Sequence, residues 1–390
     1  KLEVKTMPGL HELVSDDKKL AKIQDLSLSD ILPRKSIIST NYKFHNQNIL
    51  ITGAGGSIGS EIAKQLLIGN PSKIVMFDIS EFNLYRIEQE LRQIIEVKKY
   101  NTELIPLLGD VKNKKRILSI ISRHNIKTIY HSAAYKHVPI IENSENIFEG
   151  IKNNIFGTKV ICDAVSETNV SKLVLISTDK AVRPTNVMGA TKRVSEMIAQ
   201  CYDHKYRSKI FCMVRFGNVL NSSGSVIPLF TQQIKNGGPI TITHKDVTRF
   251  FMTIPEAANL VLQAGELSKG GEVFILNMGE QIKIYDLAKR LIHLSGRNVA
   301  EENKDNGIEI KEVGLRPGEK LYEELLISGN EDTTDNEKIL ISKEIFIDKE
   351  ILDIKLKDLR KFSENHETEK AINILQEIVE GYKQKNIINE

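Results

Sequence analysis

The sequence predicts an α/β fold: a doubly wound, largely parallel sheet with a smaller lobe toward the C-terminus. Two observations predict it. Short, continuous apolar runs rich in Ile and Val recur at 49–51, 74–77, 104–108, 128–130, 173–176 and 210–214, the pattern of strands buried on both faces. Between them lie helix-length segments of 3.6-residue spacing, with Ile58, Ile62 and Leu66 forming one face and Leu84, Ile87, Leu91 and Ile94 another. Alternation of the two implies helices on both faces of one sheet.

Composition removes several alternatives. The 390 residues are 41% hydrophobic and 27% charged, which excludes a disordered or fibrous chain. No run approaches the ~20 apolar residues of a membrane helix. Lys+Arg number 54 against 51 Asp+Glu, so no strong field points to nucleic acid. Cys162, Cys201 and Cys212 form no C-x-x-C pair and read as buried thiols in a reducing compartment. The nine His show no ligand spacing, and no metal is expected.

Four regions follow. Residues 1–47 lack periodicity, turn at Pro8-Gly9 and Leu32-Pro33, and read as an arm or linker. Residues 48–216 form the cofactor-binding domain. Residues 217–330 loosen into a lobe, with 239–280 partly returning to the sheet. Residues 331–390 hold 10 Lys+Arg against 15 Asp+Glu and carry Leu375, Ile378, Val379 and Tyr382 on one face, the pattern of a docking helix.

The cofactor site is the clearest. Gly53, Gly56, Ser57, Ile58 and Gly59 directly follow the first strand and open the first helix. Glycines let the backbone turn tightly against a pyrophosphate, and the helix start offers free N–H groups and a positive dipole end. Asp78 ends the next strand, 19 residues after Gly59. A carboxylate there accepts from both ribose hydroxyls and repels a 2′-phosphate, so NAD is expected over NADP. Asp110, at the end of the third strand, is placed to meet the adenine amine. The fold class is thus Rossmann-type.

At this point the chain resembles the extended short-chain dehydrogenase/reductase family. The resemblance rests on Gly53-x-x-Gly56-x-x-Gly59, Gly109-Asp110 and 154–158, and at 131–138 (His-Ser-Ala-Ala-Tyr-Lys-His-Val) narrows to the 4,6-dehydratases of polysaccharide biosynthesis. It covers about 48–327. It implies that Val111, Ala133, Ala134, Asn154 and Lys192 join the cofactor site and that His131 is structural.

The stretch 177–192 begins where the fifth strand ends. The wider family places a Tyr-x-x-x-Lys pair on the next helix, one turn apart on one face. Here Lys192 is present but Met188 stands at the Tyr position, and a thioether exchanges no proton. Either the protein is inactive or another group, Thr178, Asp179 or Lys180, handles the hydroxyl proton. Met188 is similar to the membrane-anchored branch of the dehydratases, where Met replaces Tyr. The resemblance makes Lys180 the C5 base and Asp179 the acid for the C6 hydroxyl, with Thr178, Met188 and Lys192 completing the catalytic set. It further implies sugar and diphosphate contacts from Lys136, His137, Arg215, Asn218, Ser225, Val226, Arg249, Arg316 and Glu319. An Arg suits the bidentate grip of a diphosphate.

The implied activity is the NAD-dependent 4,6-dehydration of UDP-N-acetylglucosamine. A nucleotide-sugar 4-epimerase and a non-catalytic binding module are the alternatives. The expected partners are a UDP-sugar and a second copy of the chain. The resemblance implies a membrane anchor only in a region preceding Lys1, and the catalytic portion is expected on the cytoplasmic face of a bacterial inner membrane.

Overall fold

The computed structural model describes residues 44–382, except 223, 301–306, 326–330 and 343. All of the predicted 1–47 arm but its last four residues lies outside the described residues. Of those four, Phe44 is buried.

The apolar runs form strands β1 (Asn48–Thr52), β2 (Lys73–Asp78), β3 (Glu103–Leu108), β4 (Thr128–His131), β5 (Lys172–Ile176), β6 (Ile210–Arg215) and β7 (Val273–Leu276). Two more, β8 (Glu331–Thr333) and β9 (Ile339–Ser342), come from the C-terminal region. The sheet order is β8-β9-β7-β6-β5-β4-β1-β2-β3. β1 to β7 pair in parallel, whereas β9 pairs antiparallel with both β7 and β8. Strand order reverses between β1 and β4, the point at which open α/β sheets leave a crevice beyond their strand ends.

Helices cover both faces: α1 (Ser57–Ile68), α2 (Glu81–Lys98), α3 (Lys114–His124), α4 (Gly157–Glu167), α5 (Val187–Lys205), α6 (Val226–Lys235), α7 (Ile254–Leu267), α8 (Ile284–Leu294), α9 (Lys349–Glu364) and α10 (Thr368–Ile378). Local chemistry sets their starts. Ser80, Asn113, Asn186 and Thr253 each accept a backbone N–H at N3 of α2, α3, α5 and α7, satisfying donors that a helix start leaves free. α1 differs: Gly56 caps it, no side chain closes it, and its first turn holds no acid.

One core lies on each face of the sheet. A third belongs to the lobe and joins Ile227, Phe230 and Ile234 of α6 to Leu287 and Leu291 of α8. The C-terminal region does more than dock a helix. Leu375, Ile378, Val379 and Tyr382 are buried in the core that holds Val194, Met197 and Ile198 of α5, and β9 extends the main sheet. Among the described residues no helix is long and apolar enough to cross a membrane.

Candidate active site

A cleft of about 960 Å³ opens across the strand ends between the sheet and the lobe, large enough for a cofactor and a substrate. One end is built by the glycine turn. Gly53 has φ +69°, and a Cβ on it would lie 2.6 Å from the Ala133 backbone nitrogen. Only glycine leaves the β1 turn and the β4 turn this close. Gly53, Gly56, Ser57, Ile58 and Gly59 line the cleft, as does Ala134. Asp78 is fixed beside the turn: Gly55 N–H donates to Oδ2 at 2.8 Å and Ser80 N–H to Oδ1 at 2.8 Å. The open start of α1, the cradle that a Cβ would fill and a carboxylate at the end of β2 fit a dinucleotide. Asp110 accepts from Lys112 N–H at 2.8 Å at the end of β3. Asn83 also lines this end.

Two expected cofactor contacts serve as supports instead. Asn154 is 1% exposed. Its Oδ1 accepts from Tyr135 N–H at 2.8 Å, and its Nδ2 donates to Tyr135 O at 2.9 Å and Thr191 Oγ1 at 3.0 Å. Both ends of the amide are thereby engaged, clamping the loop that carries Tyr135 and Lys136. Val111 is buried against α4, where a Cβ on Gly157 would come within 2.9 Å of it.

The chemical end follows β5. Thr178 opens a single turn over Asp179–Ala181. Lys180 Nζ donates to Asp179 Oδ1 at 3.0 Å and to Asn218 Oδ1 at 3.2 Å. Burial opposes its charge, but Asp179, Glu323 and the hydrogen bond that Lys180 donates to Asp179 outweigh burial and raise its pKa above the ordinary value. Thr178, Lys180, Met188 and Lys192 all line the cleft. Lys192 Nζ donates to Ile176 O at 2.7 Å, and burial, partly offset by Glu196, lowers its pKa to about 8.

Asp179 departs from expectation. It is completely buried and off the cleft wall. Oδ1 accepts from Lys180 and, at 2.9 Å, from Thr178 Oγ1, while Oδ2 is buried without a hydrogen-bond partner. Gly217 screens it: a Cβ there would lie 3.0 Å from Oδ2. Asp179 therefore holds Lys180 from behind.

Arg215 is a correction as well. Its side chain is 0% exposed. Nε and Nη2 donate to the two oxygens of Glu196 at 2.7 and 2.6 Å, and Nη1 donates to Glu344 Oε1. A guanidinium with no exposed surface, held by two carboxylates and off the cleft wall, presents no face to a diphosphate. Glu196 also accepts from Ser177 Oγ at 2.6 Å and Arg193 Nη1 at 3.0 Å. Burial opposes its charge, yet Arg215 and Arg193 hold its pKa down at about 2.

The remaining predicted contacts line the cleft: Lys136, His137, Asn218, Ser225, Val226, Arg249, Arg316 and Glu319. Burial, reinforced by Lys180, lowers the Lys136 pKa. Arg249 is committed to Glu319 Oε1 at 3.0 Å and to Thr248 O at 2.7 Å, and Glu319 Oε1 also accepts from Thr243 Oγ1 at 3.0 Å. Arg316 is exposed. Ser225 precedes α6 without capping it, and its Oγ is buried without a partner. His131, behind the wall, shares hydrogen bonds with Thr52 at 2.6 Å and Thr158 at 3.2 Å. Burial and then Lys192 lower its pKa to about 3. Sequence reasoning missed Glu323, which lines the cleft at 5% exposure.

Comparison with known proteins adds the following. The family described as "Polysaccharide biosynthesis protein" matches residues 49–344. The capsular polysaccharide biosynthesis protein CapD of Staphylococcus aureus is 48% identical over 83% of the chain and 53% of its own length. The chain thus spans about half the length of that relative. A UDP-glucose 4-epimerase of Rickettsia canadensis is 34% identical over 73% of the chain and 79% of its own length. Among solved structures, Pen from Bacillus thuringiensis superposes with a TM-score of 0.68 at 35% identity, covering 78% of this chain and 88% of that one. DesIV, a dTDP-glucose 4,6-dehydratase of Streptomyces venezuelae with NAD and TYD bound, shares the fold with a TM-score of 0.59 at 20% identity, over 70% and 87%.

Proposed function

The chain belongs to the polysaccharide biosynthesis protein family, within the extended short-chain dehydrogenases/reductases, and from that premise we propose that it is an NAD-dependent nucleotide-sugar 4,6-dehydratase acting on UDP-N-acetylglucosamine. The observation that carries this reading is Lys180: a cleft-facing amine held by Asp179 and Asn218, beside Met188 and Lys192. Oxidation at C4 acidifies the C5 hydrogen, and a positioned amine in its neutral form removes it.

NAD, when bound, supplies the hydride acceptor at C4 and the donor that later reduces C6. The glycine turn and the open start of α1 hold its pyrophosphate, Asp78 its adenosine ribose, and Lys192 its nicotinamide ribose. Met188 packs at the face where a Tyr would exchange the hydroxyl proton, which leaves Thr178 and Lys180 to handle that proton. At the other end, Arg316 and the uncapped start of α6 with Ser225 receive the diphosphate.

A 4-epimerase is the second reading, favoured by the Rickettsia relative. It needs no base at C5. Mass spectrometry after incubation with UDP-N-acetylglucosamine and NAD separates the two. Loss of one water is expected. A product of unchanged mass, epimeric at C4, would replace the dehydratase reading.

A further inference from the structure

Glu323 has no role so far, and its setting is unusual. It lines the cleft at 5% exposure, and its Oε2 is buried without a hydrogen-bond partner. An unsatisfied carboxyl oxygen inside a protein is costly and calls for an explanation. The segment that carries it is firmly placed. Thr185 Oγ1 and Asn186 Nδ2 donate to Gly318 O at 2.8 and 3.1 Å, Lys320 Nζ to Val182 O at 3.0 Å, and Gln281 Nε2 to Glu323 O at 2.9 Å. These bonds strap it over the turn that holds Asp179 and Lys180.

The charged groups around Glu323 are Lys180, Asp179, Arg249 and Lys320. Two carboxylates therefore act on Lys180, Asp179 in direct contact and Glu323 through its charge. Asp179 keeps one oxygen on Lys180 and Thr178 and the other beneath Gly217, off the cleft wall. The acid with access to the sugar is Glu323. Burial, reinforced by Asp179, raises its pKa despite the opposing cations, the direction that suits a proton donor.

We propose that Glu323, not Asp179, protonates the departing C6 hydroxyl, and that it takes that proton from Lys180 and so creates the amine that attacks C5. This rests on the dehydratase reading. At rest the Lys180 ammonium is hydrogen-bonded to Asp179, and the charged Glu323 carboxylate acts on it from beyond contact. Closing the cleft on a sugar removes water and favours the neutral tautomer: an N–H bond of Lys180 breaks and the Glu323 carboxyl gains the proton. The Lys180 amine then removes the C5 proton. The C5–H electrons form the C5–C6 double bond, the C6–O bond breaks, and Glu323 delivers its proton to the leaving oxygen as water. The resting charges on Lys180 and Glu323 are restored. Hydride returned to C6 is matched by a proton from Lys180 to C5; the 4-hydroxyl proton, released to solvent when C4 is oxidised, balances the one that Lys180 then regains from solvent.

The test uses Glu323→Gln and Glu323→Asp with UDP-N-acetylglucosamine and its 6-deoxy-6-fluoro analogue. Glu323→Gln is expected to reduce bound NAD at the wild-type rate but to release water about 10²-fold more slowly or worse, with partial recovery in Glu323→Asp. Its fluoride release from the analogue is slow at neutral pH and climbs about tenfold per pH unit as Lys180 loses its proton to solvent. In the infrared, sugar binding brings up a protonated-carboxyl band in the wild type that the Gln variant lacks. Water loss within a few-fold of wild type, NAD reduction falling in step with water loss, or no such band overturns the proposal. Unimpaired fluoride release at neutral pH overturns the transfer from Lys180. Wild-type protein that releases no water overturns the dehydratase reading itself, a result seen before any Glu323 variant is made.

Discussion

Two clusters of charged side chains among the described residues are reached from the end of β5, one around Glu196 and one around Lys180, and they are finished differently. Around Glu196 the accounts of donors and acceptors close: Ser177, Arg193 and Arg215 fill both of its oxygens, and Glu344 takes the remaining side of both arginines. Around Lys180 they do not: Asp179 and Glu323 each retain a buried oxygen without a hydrogen-bond partner. A fully satisfied network rigidifies, whereas a partly satisfied one stores a capacity to bind or transfer protons. The first cluster fixes the strand ends on which the second works.

Lys180→Met breaks the comparison hardest. Water loss falls by about 10³-fold or more, while the NAD dissociation constant stays within a few-fold of wild type. Normal turnover would remove Lys180 from the chemistry. Arg215→Met tests the other cluster. Removing one of the two arginines that pair with Glu196 leaves that buried carboxylate with Arg193 alone and costs about 3–5 kcal/mol, read as a fall in the denaturation midpoint. An unchanged midpoint with lost activity would return Arg215 to the substrate.

The third prediction concerns acid. The folded-state pKa of Glu196, about 2, lies below the ordinary ~4.3 of an unfolded Glu. Its stabilisation is complete above the unfolded value and drains away as pH falls from about 4.5 toward about 2. Urea midpoints across that window should fall less steeply in Glu196→Gln. A smaller effect is expected at alkaline pH. Lys192 titrates near 8, so NAD affinity should weaken above that pH, and in Lys192→Met this dependence should vanish. The smallest effect belongs to Met188→Leu. A volume-conserving exchange costs under ~1.5 kcal/mol of stability, and turnover stays within about tenfold. Complete loss with an intact fold would give the thioether a part in the reaction.

Much of this arrangement is written locally. Ile/Val runs, the glycine turn and the cap residues act through neighbours a few positions away, which is why strands β1 to β6 and the cofactor turn are legible. The clusters are not local. Arg215 ends a strand beside the cleft, where an arginine reads as a diphosphate ligand. Its partners lie 19 residues back on α5 and 129 residues ahead in the C-terminal region, and no periodicity joins them. Asn154 misleads for the same reason, since its partners Tyr135 and Thr191 come from the two chain segments flanking it. Glu323 leaves only one trace in the sequence, an acid four residues after Glu319 in the segment that also holds Arg316. Its significance appears once Lys320, Gln281 and Thr185 strap that segment over Lys180.

The 129-residue interval between Arg215 and Glu344 also has a meaning in time. A chain made at ~5–20 residues per second exposes Arg215 on the order of ten seconds before its second carboxylate exists. During synthesis the floor of the cleft carries an excess positive charge that only the late-arriving β9 segment neutralises. The catalytic region is thus completed from its far end, and a ribosome-bound fragment ending before Glu344 would present the glycine turn and Lys180 on an unfinished foundation.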